Sequence, residues 1–143
     1  MVSDKNGNVI SDSRRDRIEK KKSLAKLAST HCAADGLLRV MLRSYDAAVC
    51  DPNNELVYLY EIRDALAAKF GDEHSARAAL AVTKSEWSRL GQLCNNEPLR
   101  QGRHRGKTGE VLRDATENEL VESRNIARIM IEAYMQYLEG RSC

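Results

Sequence analysis

At 143 residues the chain has the length of about one domain, enough to bury a hydrophobic core. Its 42% hydrophobic and 31% charged residues are those of a soluble globular protein, and a net charge of only +2 excludes a global polyanion-binding signature. No apolar run approaches the roughly 20 residues of a membrane span, and the opening MVSDKNGNVISDSRRDR lacks the apolar core of a signal peptide.

Two prolines and 5% aromatics, with abundant Ala, Leu, Arg and Glu, favour helix throughout. Up to Lys26 the chain carries eight Lys and Arg against four Asp and Glu, and its apolar residues are sparse. Residues 1–30 therefore read as a basic, partly disordered N-terminal arm or exposed helix. A solvated helix face is the usual meaning of such a run, with a nucleic-acid arm as the alternative. Residues 31–143 read as a single α-helical domain.

Within GLLRVMLRSYDAAV, Leu37, Leu38, Met41, Leu42, Tyr45 and Val49 recur at helical spacing and predict one apolar stripe. Asp51-Pro52 ends that helix, and Asn53 or Asn54 is expected to cap the next. In ELVYLYEIRDALAAKF the inward residues are Leu56, Leu59, Ile62, Leu66 and Phe70, and Gly71 closes the helix. Asp72 opens a short helix, EHSARAAL. Thr83-Lys-Ser-Glu86 has the form of a capping box and starts KSEWSRLGQLC.

A loop of about twenty residues follows, from Asn95 to Ala115, long for a compact domain. A second capping box, Thr116 to Glu119, then starts the last helix, which is apolar on most of its circumference from Ile126 to Leu138 and is expected to end at Gly140. Such a helix is buried in a core or an interface, so a homodimer fits the pattern. The predicted fold is all-α, a five- to six-helix bundle with a long basic loop before the last helix.

Cys32, Cys50, Cys94 and Cys143 form no Cys-x-x-Cys pair, and with His31, His74 and His104 they make no zinc spacing. Reduced thiols in a cytoplasmic protein, with no metal and no cofactor, are the expectation. Gly106-Lys107-Thr108 resembles the end of a P-loop without its leading Gly or its strand.

Two stretches carry candidate chemistry. Residues 73–95 have the outline of a helix-turn-helix, whose second helix enters the major groove of DNA. On that reading Lys84, Ser85 and Arg89 face out with Trp87 in the crossing, Arg77 takes a place that favours a small residue, and Ala81 stands where Gly is preferred. The bland alternative is an αα-hairpin packed on the core.

The loop NEPLRQGRHRGKTGE is the second. No acidic residue lies between Glu97 and Glu110, while Arg100, Arg103, Arg105 and Lys107 do. Arg binds phosphate through a fork of donors. Gly102, Gly106 and Gly109 would let backbone approach a ligand closely. His104 can move a proton near neutral pH. Beside an RNA phosphate, His104 as acid/base and Arg100 as charge stabiliser suffice in principle for metal-independent cleavage. A solvated basic loop is the plain alternative.

The order of pieces over roughly residues 54–139, LVYLYEIRDALAAKFG, a short helical pair, LCNNEPLRQGRH and a long apolar helix, resembles HEPN-type proteins. These are helical bundles of toxin–antitoxin and phage-defence systems. The resemblance implies RNA as the favoured partner and a dimeric, metal-free endoribonuclease chemistry in the family's nuclease members. Arg100 and Gln101 would stand for the motif's Arg and polar residue, and His104 for its His. Three residues separate Arg100 from His104, a shorter spacer than those members have. Two alternatives stay open: a DNA binder using Lys84, Ser85, Trp87 and Arg89, and a non-catalytic phage- or plasmid-borne protein-interaction module.

Overall fold

The computed structural model describes residues 34–103 and 111–141, with residues 22, 25, 26, 28, 29, 31 and 32 of the preceding segment, all seven of them helical. The fold is all-α. Helix α1 spans Gly36–Cys50, α2 Glu55–Phe70, α3 Glu73–Leu80, α4 Lys84–Gly91 and α5 Glu117–Arg141. Among the described residues there is no strand, only one isolated bridge between Leu99 and Arg113. No helix among them is long and apolar enough to cross a membrane.

The helix starts follow local chemistry closely. Asp35 caps α1 by accepting from Leu38 N–H, and Asp72 caps α3 by accepting from Ser75 N–H. Both capping boxes form: Thr83 with Glu86 at α4, and Thr116 with Glu119 at α5. Gly71, at φ 97°, turns the chain out of α2 in a conformation that costs glycine little.

Other starts and stops differ from expectation. Asn54 precedes α2 but caps nothing with its side chain, which donates instead to Asp51. A 3-10 turn, Pro52–Asn54, intervenes, and this geometry turns the amide away from the helix. Helix α5 runs one residue past Gly140, since a glycine ends a helix only where the chain actually reverses. Ala81 takes the left-handed conformation, φ 57°, in the turn between α3 and α4. Helix α4 passes into a π-helical turn, Gln92–Asn96, which delivers the chain to the long loop.

Helix α2 is the hub, packed on α1, α3 and α5. Its Leu56, Leu59, Ile62 and Leu66 are fully buried, against Leu38 and Met41 of α1, and Ile126, Ala127, Met130 and Tyr134 of α5 share that core. Val49, expected inside, is 60% exposed, and Ala48 holds the buried position. One residue is 100° of helical rotation, and a small side chain at that point lets α1 close on its neighbours. Phe70 is half-buried and meets the Tyr137 ring edge-on at 5.2 Å. In α3 the buried small residue is Ala76; Arg77 lies beside it and pairs with Glu73 at 3.3 Å. Helix α5 is less completely enclosed than its composition predicts, with Val121 and Ile129 about 40% exposed.

Candidate nucleic-acid interface

The two ends of the long loop are built into the fold. Leu99 is fully buried. On either side of it, Arg100 N–H donates to Arg113 C=O at 2.9 Å and Arg113 N–H donates to Pro98 C=O at 3.0 Å, tying the outgoing and returning strands of chain together. Arg103 N–H donates to Cys94 C=O at 2.8 Å.

Gln101 does three jobs. Its backbone carbonyl accepts from Leu56 N–H at 3.1 Å, satisfying a donor in the first turn of α2 that no helical carbonyl reaches. Its side-chain oxygen accepts from Ala115 N–H at 3.0 Å, and its amide reaches Asp114 at 3.4 Å. The residue that the resemblance reads as the motif's polar member therefore clamps the loop base. Gly102 is also structural. A Cβ there would lie 2.9 Å from the Cys94 carbonyl oxygen, so the close approach this glycine permits is to the protein's own backbone and not to a ligand.

From this base two of the expected cations emerge. The Arg100 side chain is 60% exposed and only loosely paired, 3.8 Å from Asp114. Arg103 is 38% exposed, with its guanidinium 3.6 Å from Asp64 and over the Tyr60 ring at 4.4 Å. His104, Arg105 and Lys107, with Gly106 and Gly109, lie outside the described residues. Arg113, which composition alone did not single out, is a brace. It binds both oxygens of Glu119 at 2.8 and 2.9 Å and approaches Glu97 at 3.9 Å.

That brace has a pH signature. Two Arg113 donors and the Thr116 amide hold the Glu119 carboxyl down to about 2 from its ordinary 4.5. A depressed carboxyl contributes stability that is complete above its ordinary value and is lost as pH falls through the folded one. Glu119→Gln keeps the capping geometry and removes the charge. It should cost on the order of 1–2 kcal/mol at neutral pH, since Arg113 remains half in water, and should flatten the fall in thermal midpoint between pH 4.5 and 2. An unchanged acid limb would rule out this origin.

The helix-turn-helix residues separate. Lys84 and Ser85 are exposed at the start of α4. Trp87 is 1% exposed and belongs to the core. Arg89, expected to face out, donates through Nε to Glu122 of α5 at 2.5 Å and through Nη1 to Gln92 at 3.1 Å. This bond raises the Arg89 pKa further.

Elsewhere, burial pushes the Cys94 thiol up to about 12, the opposite of an activated nucleophile. No group of three His, Cys, Asp or Glu among the described residues is arranged for a metal. A cleft of ≈ 320 Å³ includes His31, Asp35, Lys69, Tyr134 and Tyr137 in its lining. Its polar groups are largely satisfied within the protein: His31 lies 2.8 Å from Glu139, and Tyr134 donates to the Asp35 carboxylate at 2.9 and 3.1 Å. Lys69 lies in the last turn of α2 at this cleft, whereas Gln101 satisfies the opposite end of the same helix.

No family model, curated protein or solved structure matches the chain.

Proposed function

We propose that the chain is an RNA-binding helical protein of HEPN-like kind, with metal-independent RNA cleavage as the chemistry its loop is composed for. What supports the reading is Arg100, a 60% exposed guanidinium on a backbone fixed by the Arg113 and Gln101 bonds. A phosphate site needs a cation that is free to bind but whose anchor does not move. On this reading Arg100, Arg103, Arg105 and Lys107 bind the RNA, and His104 moves the proton of the 2′-hydroxyl or leaving group. The protein works in the cytoplasm, as a homodimer joined through the partly exposed apolar side chains of α5.

The test is binding and cleavage of labelled single-stranded RNA and duplex DNA in EDTA. Wild type should bind the RNA, and Arg100→Ala should lose about tenfold in affinity and reduce the magnitude of the log–log salt slope by about 0.7. Cleavage that survives EDTA and disappears in His104→Ala establishes the nuclease; binding without cleavage leaves a non-catalytic RNA binder.

The DNA reading has one observation in its favour: Lys84 and Ser85 are exposed at the start of a capped helix that follows a tight turn. It predicts duplex binding that Lys84→Ala abolishes and Arg100→Ala leaves alone. A protein-interaction module predicts neither affinity at near-physiological salt.

A further inference from the structure

Arg103 is held differently from Arg100. Its guanidinium carbon lies over the Tyr60 ring, 4.4 Å from the centroid, and Nη1 is 3.6 Å from Asp64. Tyr60 also lies under a second guanidinium: Arg63 is 5.2 Å from the same centroid and 5.3 Å from that of Trp87. Arg63 is 19% exposed and passes directly over Gly91, where an added Cβ would collide with its Nη1. Two guanidinium groups thus share Tyr60, and cation–ring contacts link Arg103 at the loop base through Arg63 to the buried Trp87 of α4.

We infer that Arg103 is the outer plane of a stacking platform for an unpaired nucleobase. The inference rests on the RNA-binding reading and gives that site its substrate class, single-stranded or looped RNA. Three observations carry it. The Arg103 guanidinium lies on the Tyr60 ring at 4.4 Å, with the exposed Asp64 carboxylate at 3.6 Å offsetting only part of its charge. The backbone bond to Cys94 and the close-packed Gly102 remove slack from its anchor. Its side chain still keeps 38% of its surface exposed, three residues along the chain from Arg100. A guanidinium backed by an aromatic ring presents a flat, weakly hydrated surface, and unpaired bases stack on such planes. Bases inside a duplex already have both faces covered, so the platform favours single strands and tolerates sequence. Tyr60 and Arg63 are positioning residues.

The experiment measures affinity of the full chain for a single-stranded RNA and for the same strand with abasic positions, across a salt series. Arg103→Lys keeps the charge and loses the plane. It should bind the normal strand about tenfold more weakly, with an unchanged salt slope, and bind the abasic strand as wild type does. Tyr60→Leu should behave like Arg103→Lys, whereas Tyr60→Phe should keep wild-type affinity. If Arg103→Lys binds like wild type while Arg103→Ala loses affinity and salt slope, the residue is a phosphate anchor and the platform is overturned alone. A folded wild type that binds no single-stranded RNA overturns the platform and the RNA reading together.

Discussion

Arg124→Met should lower stability by about 3 kcal/mol, the cost of leaving a buried carboxylate without its partner. The carboxylate is Glu55, the first residue of α2, whose side chain is 3% exposed. Arg124 of α5 grips it as a fork, Nε on one oxygen and Nη2 on the other, and is itself 34% exposed. The two halves of the pair are therefore not equivalent. Without Arg124 the charge on Glu55 must stay unpaired in the interior or be neutralised by taking up a proton. Without the Glu55 charge, Arg124 can turn its guanidinium to water, so Glu55→Gln should cost only about 1–2 kcal/mol. The double variant should then be less damaged than the sum of the two. Urea unfolding at constant slope measures all three, and the thermal midpoint of Arg124→Met should fall by about 6–12 °C. If both single variants stay within about 0.5 kcal/mol of wild type, as a surface pair would, the buried-pair account is wrong.

Leu99→Ala should cost about 3 kcal/mol, although it lies in a stretch that composition reads as loop. The side chain is fully buried, and removing it leaves a cavity as well as losing the transfer of its methyl groups from water. The same substitution at Val111, which is 88% exposed on the returning arm, should change stability by less than about 0.5 kcal/mol. Beyond the global loss, Leu99→Ala should speed amide exchange at Arg100, Gly102, Arg103 and Arg113, whose bonds surround it. RNA affinity should fall with it, because Arg100 would no longer project from a fixed base. A Leu99→Ala protein with wild-type stability would mean that the loop is not part of the core.

Helix caps were legible because their chemistry is contained in four consecutive residues. Thr83 with Glu86, Thr116 with Glu119, Asp72 and Gly71 each act on neighbours whatever the rest of the chain does. The core face of α2 was legible for a related reason: Leu56, Leu59, Ile62 and Leu66 recur at the helical period, and only one face can go inward. Asn54 shows where this stops. Its type suits a cap, but a 3-10 turn places its amide on Asp51. Arg89 shows it again, since nothing near it announces Glu122, thirty-three positions away.

The sequence by itself determined an all-helical chain, the starts of its helices, most of its inward faces and the basic character of the loop, all from interactions within one or two turns. Only the tertiary structure decided that Ala48 and not Val49 faces inward, that Glu55 meets Arg124, and that Gln101 and Gly102 serve the loop base. It alone set Arg103 over the Tyr60 ring and left Arg100 the more exposed of the two. The physical reason is the range of the forces. Capping and amphipathic periodicity act between residues that the chain already holds adjacent, whereas ion pairs, cation–ring stacking and close packing depend on which distant segments the bundle brings within about 4 to 6 Å.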